Sequence, residues 1–296
     1  MTMIYQSDNT KIAQSLLNHT YAANGAAAEI PELHDHEFEL FRSLIYRVAG
    51  ISLSSGKKPL VSGRLAKRLR HHRLTSFSDY YHLATARQNV AELQMAVNLL
   101  TTHETHFFRE PRHFDFLREQ VLPKHCADRA FRVWSAACSS GQEAYSIAML
   151  LDDVFGKRPW DVVASDIDTH MVDCARNAQY PIGLAGEIPR SYLKRYCLKG
   201  IAGETGTLLI DPALSERMRF MQHNLTEMPP AGIGDFDVIV LRNVMIYFDL
   251  DTKRQVISRL LPKLRSGGYF LIGHAESLHG VSDDFRIIMP AVYRKP

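Results

Sequence analysis

Three apolar runs in this chain end in side chains able to hold a ligand. In "FRVWSAACSSGQE", the run passes into the small residues Ala136 to Gly141 and then Glu143. Small residues let a backbone come close to a bound molecule. In "WDVVASDID", the run ends at Asp166, 25 residues beyond Gly141. A carboxylate about 20 residues after a glycine turn can accept both hydroxyls of a ribose. In "FDVIVLRNVMIYFD", Arg242 and Asn243 stand at the end of a third run. The first turn is not GxGxxG, and no lysine-bearing phosphate loop accompanies it, which disfavours a nucleoside triphosphatase. The pattern fits a nucleoside with a short, non-phosphate tail, of which S-adenosylmethionine is an example. Each carboxylate taken alone could equally be a solvated loop residue or a helix cap. Three such ends in one series favour a ligand site.

The elements that must position these residues follow from periodicity. Strand-like runs alternate with helical patterns, "QEAYSIAMLLDDVF" after the first, "THMVDCARNAQ" after the second and "DTKRQVISRLLPKL" after the third. "SGGYFLIGHAES" supplies a fourth strand. This alternation predicts an α/β fold with a doubly wound, mostly parallel sheet. Ligands in such sheets bind beyond the carboxyl ends of the strands, where strand order reverses. Pro262 should disturb the last turn of the final helix. The segment between the second and third strands is too long for an ordinary connection. Its glycine turns, a short helix over Ser191 to Cys197 and two short strands, "TGTLLI" and "RMRFMQ", predict an inserted antiparallel β-subdomain over about 180–222. Before the sheet, Phe38, Phe41, Leu44, Ile45 and Val48 recur at helical spacing. Ser76 or Ser78 offers an N-cap to a further helix. Residues 31–104 therefore read as an all-helical domain, 105–296 as the sheet domain, and 1–30 as a frayed, flexible extension.

The 296 residues, 46% of them hydrophobic, suffice for one large or two smaller cores. A formal net charge of +3 means that any basic function must come from local clustering. Cys126, Cys138, Cys174 and Cys197 show no CxxC spacing, so neither a metal site nor a disulfide framework is expected. They read as reduced thiols of a cytoplasmic protein. No apolar run approaches the roughly 20 residues of a membrane span, and the N-terminus lacks the pattern of a secretory signal.

The stretch "TTHETHFFREPRHF", Thr101 to Phe114, crowds histidine, arginine and phenylalanine where the helical region meets the sheet region. With "RVWSAACSSGQEAYSIAM", "ASDID", "HNL", "LRNVMIYFD" and "GHAESL", in this order, it resembles the chemotaxis receptor glutamate methyltransferases, the CheR family. The resemblance covers nearly everything after about residue 33. It implies a helical N-terminal domain and a Rossmann-like, class I methyltransferase domain with a small β insertion. It also implies S-adenosylmethionine as cofactor and methyl esterification of glutamates on chemoreceptors. The family's cofactor contacts fall on His103, Thr105, Arg109, Glu143, Asp166, Asn224, Leu225, Arg242 and Asn243. His103 stands where the family commonly has Asn, and "GQEAYS" replaces a commoner GEEPYS. Arg109 resembles a residue near the transferring methyl, where a guanidinium could orient a carboxylate. Tyr247 matches a second residue there. Phe107 and Phe108 read as core, and His106 and His113 as surface or linker histidines.

The run "KKPLVSGRLAKRLRHHR", Lys57 to Arg73, holds seven cations and no acid. Arg64, Lys67, Arg68 and Arg70 lie on its helix, opposite Leu65 and Leu69. It is a solvated face, a phosphate-gripping face or a docking surface. The resemblance favours docking of acidic receptor helices, and a receptor C-terminal peptide could engage the β-subdomain. A nucleic-acid methyltransferase on the same fold is the alternative enzyme, although no NPPY-like or paired-cysteine motif supports it. A non-catalytic cofactor-binding regulator is the alternative of another class.

Overall fold

The computed structural model describes residues 4–5, 31–126 and 128–296. The extension expected over 1–30 lies outside these residues, apart from the two-residue strand β1 (Ile4–Tyr5). The helical domain comprises α1 (Asp35–Ala49), α2 (Lys58–His72), α3 (Phe77–Thr85) and α4 (Val90–Leu100). Ser76 caps α3 by accepting from the Asp79 N–H at 3.0 Å, as its position suggested. The apolar stripes meet in one core around Phe41, Leu65, Leu69, Phe77 and Tyr80.

Polar residues fix how these helices cross. Glu37, only 2% exposed, accepts from the His34 N–H at the start of α1 and the Ser78 N–H at the start of α3. Glu92 of α4 receives two bonds from Arg68 of α2, at 2.8 and 2.5 Å, and one from Tyr80 of α3 at 2.8 Å. His72 Nε2 stands 3.1 Å away. Burial by itself would raise the Glu92 carboxyl, but the bonds from Arg68, Tyr80 and His72 outweigh it and hold it at about 2.

The main sheet has seven strands in the order β10-β11-β9-β8-β2-β3-β7. Five run parallel: β2 (Phe131–Ser135), β3 (Trp160–Asp166), β7 (Met218–Gln222), β8 (Phe236–Leu241) and β9 (Leu264–Ile272). A terminal hairpin, β10 (Arg286–Met289) and β11 (Val292–Arg294), adds antiparallel pairing at one side. The helices that follow the strands are α6 (Gln142–Phe155), α7 (Thr169–Asn177) and α9 (Leu250–Leu260); α5 (Pro111–Phe116) precedes β2. α9 stops at Leu260 and the chain tightens into a 3₁₀ turn through Pro262. Strand β8 is buried along its whole length, which is why it reads as an unbroken apolar run.

The small sheet is built from β4 (Gln179–Pro181), β5 (Cys197–Gly200) and β6 (Thr207–Ile210), all antiparallel, with β1 alongside β5. Helix α8 (Arg190–Tyr196) leads into it. The expectation for "RMRFMQ" is corrected here. That segment is β7, the parallel edge strand of the main sheet, with Val162 opposite Met218 and Asp166 opposite Gln222. A half-exposed edge strand carries the same polar–apolar alternation as an antiparallel one, so the pattern could not assign it to a sheet. The terminal hairpin was not anticipated, because "RIIM" and "VYR" are too short to show a period.

One prediction concerns the α2–α4 junction. Glu92 has a folded-state value below its unfolded one. Its stabilisation is present above about pH 4.5 and lost as pH falls through about 2. Glu92→Gln should cost about 2 kcal/mol at pH 7, allowing for partial solvent screening. In denaturant titrations across pH, the gap between variant and wild type should close as pH falls through 2.

Candidate active site

The parallel sheet reverses its order between β2 and β8. A cleft opens at the carboxyl ends of β2, β3 and β8, roofed by residues 101–109 of the interdomain stretch. His103, Thr105, Arg109, Glu143 and Asp166 all line it. So do Asn224, Leu225, Arg242, Asn243 and Tyr247. The basic-helix residues do not.

The turn after β2 is held by sterics and by one carboxylate. Gly141 has φ +97°, and a Cβ there would lie 2.8 Å from Ala175 Cβ and 3.0 Å from the Tyr180 hydroxyl. Ser139 also takes a left-handed conformation, φ 49°. Asp166 accepts from the Ser139 N–H at 2.8 Å and from the Asp168 N–H at 3.0 Å. Two of its roughly four acceptor positions therefore remain. Burial pushes the Asp166 carboxyl upward. Ser139 Oγ and His223 Nε2 are buried, without a partner among the described residues, and both residues line the same cleft. Unfilled polar groups beside small residues fit a polar, ribose-bearing ligand such as S-adenosylmethionine.

The second centre is Arg242, 7% exposed. Its Nε and Nη2 lie 3.2 Å from Glu110 Oε2, and Nη1 lies 3.3 Å from Glu143 Oε2. It also donates to the Arg109 carbonyl. Glu143 accepts from Ser135 Oγ at 2.7 Å. Burial raises the Glu143 carboxyl in spite of Arg242. Burial would raise Glu110 too, but Arg242 and the His274 N–H outweigh it and hold it low. Glu143 is thus a partly buried carboxylate that a cationic ligand group would stabilise.

The roof is fastened on both sides. His103 Nε2 lies 2.9 Å from Asp168 Oδ2 and 2.6 Å from Thr101 Oγ1. Asp168 meanwhile caps α7 through the His170 N–H. Arg109 donates to the Glu104 carbonyl at 2.9 Å. Asn243, at φ 58°, donates its N–H to Glu276 at 2.9 Å. The Asn224 amide donates to the Val48 carbonyl at 2.6 Å, and its oxygen accepts from Thr226. Its side chain therefore ties the domains together at the cleft's edge. Leu225 is buried against the floor beside Trp134 and Ala136. Tyr247 sits in a 3₁₀ turn, its carbonyl accepting from the Ser52 N–H at 2.8 Å.

The structure divides the basic helix. Lys67 and Arg70 are exposed. Arg68 is taken up by Glu92, and Arg64 donates to the carbonyls of Leu100 and Thr101 at the end of α4. Phe107 is buried, edge-on to Tyr180, and Phe108 stacks on Tyr192. His106 is exposed, but His113 is 1% exposed, a correction to its reading as a surface histidine. Pro111 starts a short helix whose inner side carries His113 into the core. Sequence reasoning also missed Glu110, Ser139, Asp168 and His223. Glu110 lies between Arg109 and a helix-starting Pro, where it reads as an ordinary first-turn acid.

The Asp166 geometry generates a prediction. Asp166→Asn keeps the shape but removes the charge, and should weaken S-adenosylmethionine binding by about 1.5–3 kcal/mol. Calorimetry on the folded variant checks this; an unchanged affinity would remove Asp166 as the ribose acceptor.

Comparison with known proteins agrees with this architecture. Residues 36–101 match the profile described as "CheR methyltransferase, all-alpha domain", and residues 103–293 match "CheR methyltransferase, SAM binding domain". The chain is 40% identical over 260 residues to chemotaxis protein methyltransferase 2 of Pseudomonas aeruginosa, covering 87% of this chain and 92% of that one. It is 38% identical over 263 residues to the chemotaxis protein methyltransferase of Salmonella typhimurium, covering 88% and 90%. The Escherichia coli protein of that name is also 38% identical, with 88% and 91% covered. With both domain profiles matched in order and relatives aligned along most of their length, the chain belongs to the CheR methyltransferase family.

Proposed function

We propose that this chain transfers a methyl group from S-adenosylmethionine to glutamate side chains on the cytoplasmic helices of chemoreceptors, forming methyl esters for sensory adaptation. The observation that carries this reading is the cleft itself. It brings together a ribose-type acid, Asp166, and a carboxylate–guanidinium pair, the partly buried Glu143 and the buried Arg242, with Arg109 also in its lining. S-adenosylmethionine, when bound, supplies an electrophilic methyl that a carboxylate oxygen can take in line from the sulfonium. Asp166, with Ser139 beside it, would hold the ribose. Glu143 would face the cofactor's cationic end, with Arg242 fixing its orientation. His103, Thr105, Leu225 and Asn243 would complete the walls, and Asn224 would hold them to the helical domain.

A substrate glutamate has an unperturbed pKa near 4.3 and is already ionised at neutral pH. No general base is needed, so rate enhancement would rest on proximity and orientation, which can contribute ~7–11 kcal/mol. Arg109 would orient the carboxylate, and Tyr247 lines the same cleft. A pairing too tight would dull the nucleophile, so positioning suffices. The exposed cations Lys67 and Arg70 favour an acidic receptor helix on the outer face of α2, with Arg64 and Arg68 securing that helix from inside. The small sheet is the candidate surface for a receptor C-terminal peptide. The protein would work in the cytoplasm, where the receptor helices lie; no helix among the described residues is long and apolar enough to cross a membrane.

The direct test is incubation with methyl-labelled S-adenosylmethionine and a panel of receptor cytoplasmic fragments. Base-labile label on receptor glutamates is expected. Label on RNA or DNA instead, or cofactor binding without turnover on any fragment, would overturn the reading.

Arg109→Ala should remove most single-turnover rate at saturating cofactor, with only partial loss of cofactor affinity. A near-normal rate would exclude the orienting role. The double reversal Lys67→Glu, Arg70→Glu should act through encounter rate, since exposed pairs are individually worth only about 0.2–1 kcal/mol. Receptor methylation should fall steeply at low salt and differ less from wild type as salt rises, with cofactor affinity unchanged.

A further inference from the structure

Next to Arg242, among residues that do not line the cleft, three potential metal ligands converge. Glu110, in left-handed conformation just before α5, and His113, in the first turn of α5, bring their side chains together. His274 arrives from the turn after β9. His113 Nδ1 is 3.4 Å and His274 Nε2 is 3.9 Å from Glu110 Oε2, and one ligand atom from each of the three lies within 4.8 Å of the others. The rings of His113 and His274 are 4.9 Å apart, edge to face. His113 is 1% exposed, and neither of its ring nitrogens has a hydrogen-bond partner among the described residues. A buried imidazole with both nitrogens unsatisfied is costly unless something occupies the space beside it.

We propose that Glu110, His113 and His274 form a three-ligand site for a borderline divalent cation of the Zn²⁺ type, distinct from the cofactor cleft but mechanically joined to it. The ligand set is one that such ions favour: two imidazoles and a carboxylate, with a further position open to water on the exposed His274 side. The His274 N–H donates to Glu110 Oε1 at 3.1 Å, which fixes the turn carrying the third ligand.

The opposing charge is Arg242, 3.2 Å from the same Glu110 oxygen. A bound dication must therefore share Glu110 with Arg242. That sharing makes the site weaker than an isolated His₂Glu set. It also makes it consequential, because Arg242 loosened from Glu110 changes its hold on Glu143 in the cleft. Metal occupancy should accordingly weaken S-adenosylmethionine binding. Neither the spacing of the cysteines nor the resemblance pointed to a metal, since the ligands come from segments about 160 residues apart in sequence.

The test uses the tag-free full chain, stripped with chelator and titrated with Co²⁺ at neutral pH. Expected is a visible d–d absorption of low-symmetry, four- or five-coordinate Co²⁺, reversed by added Zn²⁺. His274→Ala is the deciding variant, because that side chain is half exposed and its loss should leave thermal melting unchanged; His274→Gln serves if it does not. In either variant Zn²⁺ affinity should fall at least about tenfold, and Zn²⁺ should no longer shift the calorimetric affinity for S-adenosylmethionine. Absence of a visible band in the wild type, or an equal band in the His274 variants, would overturn the site. Because none of these readouts uses methyl transfer, the outcome is independent of the substrate assignment.

Discussion

The interaction on which the site depends is the buried guanidinium of Arg242 between two carboxylates. A buried charge is tolerated only when it is paired and hydrogen-bonded. Here the pairing joins three parts of the chain that are remote in sequence. Arg242 ends β8, Glu143 opens α6 after β2, and Glu110 closes the interdomain stretch. The Arg109 carbonyl completes the set, so the segment bearing the candidate orienting residue is held by the same guanidinium. Removing Arg242 would leave two partly buried carboxylates without their shared cation. The strand order of the sheet matters because it brings the ends of β2 and β8 side by side.

The helical domain forms one wall of that site. Gly50, at φ 71°, ends α1, and a Cβ there would stand 2.5 Å from Thr252 Cγ2. This close approach lets Asn224 and Thr226 reach the Val48 carbonyl and pairs Ile51 with Phe248. On the other side, Gln94 and Asn98 of α4 bond to Ile167 and Thr169 at the start of α7. Arg64 binds the carbonyls at the end of α4, where the roof of the cleft begins. The helix with the exposed cations is therefore tied to the cleft by short polar contacts. Arg64 and Arg68 act from inside the domain, whereas Lys67 and Arg70 face outward.

Much of this was legible in the sequence, for identifiable reasons. Asp166, Glu143 and Arg242 were visible because each ends a run whose periodicity marks a strand and its following helix. The helical domain was visible because its stripes recur at helical spacing over Phe38 to Val48. β7 could not be assigned to its sheet, because alternation reports exposure of one face and not the partner strand. His113 and Glu110 were misjudged or missed because their importance comes from what packs against them, His274 and Arg242, far along the chain. Arg64 and Arg68 looked equivalent to Lys67 and Arg70 for the same reason. Charge is read from sequence; which side of a helix meets Glu92 or the carbonyls at the end of α4 is settled by tertiary packing.

The central claim is that the cofactor lies across the ends of β2, β3 and β8 with its ribose on Asp166 and its amino acid end toward Glu143 and Arg242. The most direct measurement is a crystal structure of the chain with S-adenosylhomocysteine bound. Both ribose hydroxyls should lie within hydrogen-bond distance of the Asp166 carboxylate, with the ligand's ammonium facing Glu143. A ligand whose ribose is turned from Asp166, or which lies outside the β2–β8 switch point, would contradict it.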